Sequence, residues 1–501
     1  MRNWTLFLVA ILLASRGISH AQPADAGVED ASPPADAAPP PDPVPAPPPA
    51  STTSPPAAET TPAPLPDHAS GIEIDEPTSA REKARWIPRV LLFVPRWAFW
   101  LVAQPIRFGA YAYERYGLAQ RFQGALFNVE QTFGVYPVAA YSTDYGVNVG
   151  LRLVHYNLFG NKEKLKLRAN FGGEYQQSYG LELRTGQIKE RVQAGIETRY
   201  ERRGRERFFG IGNANELDTP PAMPLDPTLR DAAVSSRFRE DLIRVVTWID
   251  AKVAGPLSFR TSGALALRDF GGPSTDDDAI AERFDTSKLV GFDSGVKTFY
   301  IEGELTYDTR RPPSKWTTQA IDVSGWLFAG HLGRSAGIDG DPTSFTRYGG
   351  EVQRFFDLYK GTRSLGLRVA IDGITSSDGV SDGKISFVDL PRLGGADYLR
   401  GYPANRFRDR AVALATAEYA WDLGNYLGAY LFIDAGRAVH DWGQITTDLS
   451  ELHVGTGGGI EVHTGSSFVL RTQLAVSREG NTFFELVLSP TFGRRERAGR
   501  F

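Results

Sequence analysis

The sequence predicts an all-β chain: a sixteen-stranded antiparallel transmembrane β-barrel with a short amphipathic helical segment before it. Three observations carry this. From Phe122 onward, apolar and polar residues alternate with the period of a strand. The second face of these segments repeatedly holds charge, as at Glu182, Arg184, Glu302, Glu304 and Arg354. Such a face suits a wet lumen and is wrong for the dry core of a soluble sandwich. No stretch of the chain reaches about 18 uninterrupted apolar residues, so a membrane could be crossed only by strands.

Composition agrees. Aromatics at 11% and 52 glycines in 501 residues favour a large sheet with many tight bends. The absence of cysteine removes disulfides, thiolate metal sites and a lipid-attachment cysteine. A net charge of −4 argues against nucleic acid as a partner. The seven histidines, at 20, 68, 155, 331, 440, 453 and 463, show no metal-ligand spacing. No cofactor or metal is expected.

Residues 1–21 read as a secretory signal: Arg2, an apolar run from Trp4 to Ala14, and Ser19-His20-Ala21 as a small-x-small cleavage site. Residues 22–79 read as a linker, with 16 of the 33 prolines lying between Pro23 and Pro66. Such a segment buries no core and favours solvated polyproline II in the periplasm. A tether to the cell wall or to a Pro-binding partner is the sharper alternative.

Residues 80–121 are basic, aromatic and apolar. On a helix at 100° per residue, Arg89, Arg96 and Arg107 fall on nearly one line, and Trp97 and Trp100 belong to the aromatic and apolar residues of the remaining circumference. That pattern fits a helix in a membrane interface, broken by Pro88, Pro95 and Pro105. A helix packed on the periplasmic mouth of the barrel fits it as well.

Residues 122–492 form the barrel. Alternation is clear at Lys164–Ala169 and recurs in 136–156, 178–200, 242–269, 297–307, 318–329, 346–372, 384–390, 411–420, 427–437, 453–477 and 482–492. An even strand number puts both ends in the periplasm. Five strands after residue 402 then place the preceding loop outside, and sixteen strands in total allow roughly 23 residues per strand and connection. The polar stretches 213–238, 271–288 and 332–345 are candidate extracellular loops. Residues 493–501 are a C-terminal extension.

The most telling stretch is Leu393 to Tyr402, Leu-Gly-Gly-Ala-Asp-Tyr-Leu-Arg-Gly-Tyr. Gly394 and Gly395 free the backbone on one side of Arg400, and Gly401 on the other. Glu418 follows in an alternating segment, and Asp434 in the next. One guanidinium and two acids on neighbouring strands can meet in a lumen.

This order of motifs resembles the BamA/TamA superfamily of outer-membrane barrels, also known as bacterial surface antigens. The resemblance covers roughly residues 122–492 and is strongest from 385 onward. It implies that the loop carrying Arg400, Gly401 and Tyr402 folds back into the lumen and latches onto Glu418 and Asp434. Leu399 and Tyr402 depart mildly from the family pattern. Arg207-Phe208-Phe209-Gly210-Ile211-Gly212-Asn213 resembles an upstream family motif. The implied function is protein insertion into, or translocation across, the outer membrane. Residues 22–120 offer no segment that suits a POTRA domain, so the expectation is a member without them.

Other patterns carry less chemistry. Gly455-Thr456-Gly457-Gly458-Gly459 lacks the following helix of a phosphate loop and reads as a strand made to bend or to be packed closely. Asp276-Asp277-Asp278, and Asp339 with Asp341, read as solvated loops, with calcium as the sharper alternative. No nucleophile or tunable base accompanies Arg400, so no enzyme is expected. Phe492 and Phe501 compete for the role of a terminal aromatic assembly signal. The expected partners are outer-membrane lipid or lipopolysaccharide, a client outer-membrane or secreted protein, and a periplasmic partner for the N-terminal segment. A plugged pore, a lipid-handling barrel and a surface antigen remain rival functions.

Overall fold

In the computed structural model, residues 124–500 are described except 143–144, 214–234, 276–277, 312–323, 378–383, 424–425, 446–450, 464–467 and 488–491, together with isolated residues between 104 and 121. Every element below belongs to one compact unit, which holds residues 106–501. The signal, the linker, and Arg89, Arg96, Trp97, Trp100 and Arg107 lie outside the described residues, as does Phe501.

The alternating segments become eighteen strands. They are β1 (Phe133–Ser142), β2 (Gly146–His155), β3 (Lys164–Gly172), β4 (Gln176–Arg184), β5 (Val192–Phe208), β6 (Ser236–Ala254), β7 (Leu257–Gly271), β8 (Val296–Asp308) and β9 (Gly325–Gly337). The second half holds β10 (Ser344–Asp357), β11 (Arg363–Ser376), β12 (Arg392–Leu393), β13 (Phe407–Arg408), β14 (Ala411–Asp422), β15 (Leu427–Val439), β16 (His453–His463), β17 (Phe468–Ser477) and β18 (Thr482–Val487). Sixteen of them form one sheet in which each strand pairs with its sequence neighbour, while β12 and β13 pair with each other inside the connection from β11 to β14. Eleven strands precede Arg400 and five follow it in that sheet.

The sheet is inside out relative to a soluble protein. On β8, Thr298, Glu302, Glu304 and Thr306 are buried, whereas Ile301 is 54% exposed and Leu305 50%. The same exposure of apolar side chains holds for Leu332, Val369, Leu431, Ile433 and Leu474. In water these positions would be costly; against lipid tails they are favourable. No helix among the described residues is long and apolar enough to cross a membrane, which says nothing of strands.

Several expectations need correction. Residues 384–390 are turns, not a strand. Ile385, Phe387, Val388 and Leu390 are all buried, so both faces of the segment pack inward. Phe387 meets Phe208, Phe238, Phe270 and Phe292 with ring centroids 5.1–5.9 Å away. Residues 332–345 are mostly strand, since β9 runs to Gly337 and β10 starts at Ser344. Among the described residues the last strand runs to Val487, and Phe492 stands in a turn with φ +58°. Among the described residues no ladder joins β1 to β18, so the sheet is open along that edge.

Candidate functional site

The connection from β11 to β14 is shaped by its glycines. The β12–β13 hairpin sets Leu393 opposite Phe407. Gly394 and Gly395 then turn at φ +114° and +88°, and Gly401 at +90°. A Cβ on Gly394 would stand 2.1 Å from the Pro403 carbonyl oxygen, so no other residue fits there. Leu399, with φ +81°, takes a strained backbone and is fully buried among Leu393, Tyr402, Phe407, Val412 and Leu414.

This turn delivers Arg400 to the sheet. Its backbone N–H donates to Asp434 Oδ2 at 2.9 Å, its Nε to the same oxygen at 2.8 Å, and its Nη2 to Asp434 Oδ1 at 2.8 Å. Nη1 donates to Glu418 Oε2 at 2.6 Å. The guanidinium also lies 3.6 Å above the Phe432 ring. Burial works against the charge of Arg400, yet Asp434 and Glu418 hold its pKa above the ordinary arginine value. Arg406, six residues on, stacks on Phe209 and Phe407 instead, and burial pushes it down to about 10.

Strand register explains the convergence. Phe432 and Asp434 share the inner face of β15, and Phe432 pairs with Glu418 on one side and Gly457 on the other. The missing side chains of β16 make the room. A Cβ on Gly455 would stand 1.7 Å from the Arg400 carbonyl oxygen, and one on Gly457 2.7 Å from Phe432 Cζ. The glycine run is therefore the floor under the loop.

The site is larger than three residues. Arg471 on β17 donates to Glu418 Oε1 at 2.6 Å, reaches to 3.7 Å from Glu461, and lies 3.7 Å above the Tyr430 ring. Asp434, Arg400, Glu418, Arg471 and Glu461 thus form a buried row of alternating charge. Arg471 and Glu461 were not singled out in the sequence. The usable signal was the alternation that puts Arg471 and Gln473 on one face, and Glu461 in line with Gly455, Gly457 and Gly459. Tyr402 donates its hydroxyl to Glu479 at 2.6 Å, which gives the tyrosine a role that phenylalanine cannot fill.

The upstream motif closes over the same loop. Gly212 N–H donates to the Arg408 carbonyl at 2.8 Å, and Asn213 Oδ1 accepts from Ala438 N–H at 2.8 Å. Glu206 accepts from Asn405 at 2.9 Å. The aspartates weighed for calcium are otherwise engaged: Asp339 pairs with Lys297, Asp341 accepts from the backbone of Lys297 and Thr343, and Asp278 pairs with Arg283. Asp276 and Asp277 lie outside the described residues.

The model of the Omp85 superfamily domain matches residues 157–492, about two thirds of the chain. The chain belongs to the Omp85 superfamily. Members of this superfamily are outer-membrane proteins, which supports an outer-membrane location for this chain. Among solved structures it is similar to BamA from Haemophilus ducreyi lacking POTRA domains 1-3, at 11% identity and a TM-score of 0.49, over 71% of this chain and 68% of that one. It is also similar to CdiB from Acinetobacter baumannii, at 11% identity and a TM-score of 0.41, over 70% of this chain and 58% of that one. For CdiB from Escherichia coli the values are 11%, 0.42, 70% and 59%, so the chain spans less than two thirds of either CdiB. No curated protein sequence matches this chain.

Proposed function

We propose that the sheet closes in the outer membrane as a sixteen-stranded barrel whose β1/β18 seam opens sideways to pass protein into, or across, the membrane. The observation that carries this is the seam: fifteen neighbouring pairs are laddered, and the β1/β18 pair is not among the described residues. A barrel wall opens where it loses fewest hydrogen bonds. The Arg400 loop is then a latch that holds the β14–β17 wall in shape beside that seam. The role is non-enzymatic, the outer face meets lipid or lipopolysaccharide, and the client is an unfolded outer-membrane or secreted protein. Residues 1–21 are removed as a signal, and the segment 80–121 serves the periplasmic side, for a partner or the membrane surface.

The test uses the absence of cysteine. Cysteine pairs are placed one in β1 between 133 and 139 and one in β18 between 482 and 487. Folding of an unfolded client barrel is then followed in proteoliposomes, oxidised and reduced. Oxidation is expected to remove most of the activity and reductant to restore it. Equal activity in both states would overturn lateral opening. A filled lumen, with loop and tail both seated on the wall, favours a second reading as a plugged pore. That reading predicts no client folding in either state, and a steady conductance once Arg400 is replaced.

A further inference from the structure

The C-terminal extension returns to the inner wall of the sheet. Arg494 Nη1 pairs with Glu304 at 2.8 Å, and Arg495 with Asp372 at 3.4 Å. Arg497 meets Glu302 through Nε at 2.9 Å and Nη2 at 2.8 Å, and it also pairs with Glu304. Arg500 pairs with Glu304 as well. The single acid of the tail, Glu496, pairs with Arg244 on β6, and Arg244 Nη1 donates to the Arg497 carbonyl at 3.0 Å. Charge therefore matches residue by residue: four arginines meet acids of β8 and β11, and the one glutamate meets an arginine.

The fit is steric too. Arg497 and Arg500 exchange backbone hydrogen bonds of 2.9 and 3.0 Å across a tight turn at Ala498-Gly499. A Cβ on Gly499 would stand 2.4 Å from Ser262 Oγ, so only glycine lets the turn lie flat on β7. At its start the tail leans on the latch loop. Tyr398 donates to the Gly493 carbonyl at 3.1 Å, and Arg495 lies 4.3 Å above the Tyr398 ring.

Yet among the described residues no backbone ladder joins this tail to the sheet. Among the described residues each hydrogen bond between tail and wall involves a side chain on at least one partner, and the tail lies beside a cavity lined by Glu304, His331, Glu351, Asp372 and Tyr398. Planar guanidiniums on paired acids make a recognition site for arginine peptide, and such contacts weaken with salt.

We propose that Glu302, Glu304 and Asp372, with Arg244 at one end, form a lumenal binding site for a short arginine-rich peptide, and that residues 493–500 are its resident, displaceable occupant. The tail is then a tethered plug, and any basic segment that enters the lumen competes with it. This goes beyond the reading as a protein-passing barrel, because it concerns one wall and holds whether or not the seam opens.

The probe is a fluorescent synthetic peptide of residues 493–501, titrated by anisotropy in detergent against the full chain and a chain ending at 492. The shortened chain is expected to bind it at least about tenfold more tightly than the full chain, and to release it at high salt. Glu302→Gln with Glu304→Gln in the shortened chain is expected to weaken binding by a similar factor. A peptide in which Glu496→Arg removes the acid is expected to bind poorly, and to recover on an Arg244→Glu wall. A folded shortened chain that ignores the peptide, or binds both peptides equally, would overturn the site. Should the shortened chain not fold, the full chain carrying Ala498→Cys is labelled with maleimide. Adding Arg494→Gln and Arg497→Gln is expected to speed labelling about tenfold, and an unchanged rate overturns the proposal.

Discussion

At the scale of single residues the site turns on one guanidinium. Arg400 spends three of its four bonds on Asp434 and one on Glu418, and Glu418 is shared with Arg471. Removing Arg400 leaves Asp434 buried without its counter-charge, a loss of about 3–5 kcal/mol, and less where lumen water enters. Arg400→Ala is expected to leave the sheet folded but to expose the loop to limited proteolysis. Arg400→Lys is expected to recover only part of the protection, since a point charge cannot satisfy both oxygens of Asp434 and Glu418 as a fork does. The informative exchange is with Asp434, because an arginine at 418 would face Arg471. Arg400→Asp should be cleaved readily, and Arg400→Asp with Asp434→Arg should regain protection; equal cleavage of wild type and Arg400→Asp would remove the latch.

At the scale of elements, β16 shows how a strand is designed around what rests on it. Its inner face carries Gly455, Gly457 and Gly459, where β15 carries Asp434, Phe432 and Tyr430 at the paired positions. The aromatics of β15 and the loop backbone fill the space those glycines leave. Gly455→Ala places a methyl 1.7 Å from the Arg400 carbonyl oxygen. The expected cost is about 1–3 kcal/mol of overpacking. It should appear as loop cleavage like that of Arg400→Ala, with the heat-modifiable folded band on gels retained. Gly480, whose added Cβ would meet open space, has φ +87° and tests backbone strain alone.

Across the whole molecule, the decisive feature is the inversion of polarity. Exposed apolar side chains on the outside and buried charge within are stable only if lipid surrounds the sheet. Ile301→Arg, on the exposed face between buried Tyr300 and Glu302, is expected to cost up to about 2–4 kcal/mol if it lies at the depth of the bilayer centre. The measurement is the urea midpoint of folding into vesicles. Ile301→Leu should leave the midpoint in place, and an equal effect of both would show that this face does not meet lipid.

The sequence by itself determined the class of the fold, and the family resemblance pointed to Arg400, Glu418 and Asp434, which the structure brings into contact. A two-residue period is local, so it survives in one dimension and gave most of the strands and the five after Arg400, and the even number that a barrel needs gave sixteen. The acids Glu418 and Asp434 were legible because they lie on the first and second sheet strands after the loop in chain order. Tertiary structure decided the rest. Residues 384–390 alternate like a strand, but an aromatic cluster assembled from residues 208, 238, 270 and 292 packs both of their faces. Arg471 and Glu461 join the row of charge only through cross-strand register. The arginines at 494, 495, 497 and 500 read as a bare basic extension until the curl of the sheet brings Glu302, Glu304 and Asp372 to them. Partners more than a hundred residues apart leave no periodic trace in a single sequence, and only the packing of the tail on the inner face brings their charges together.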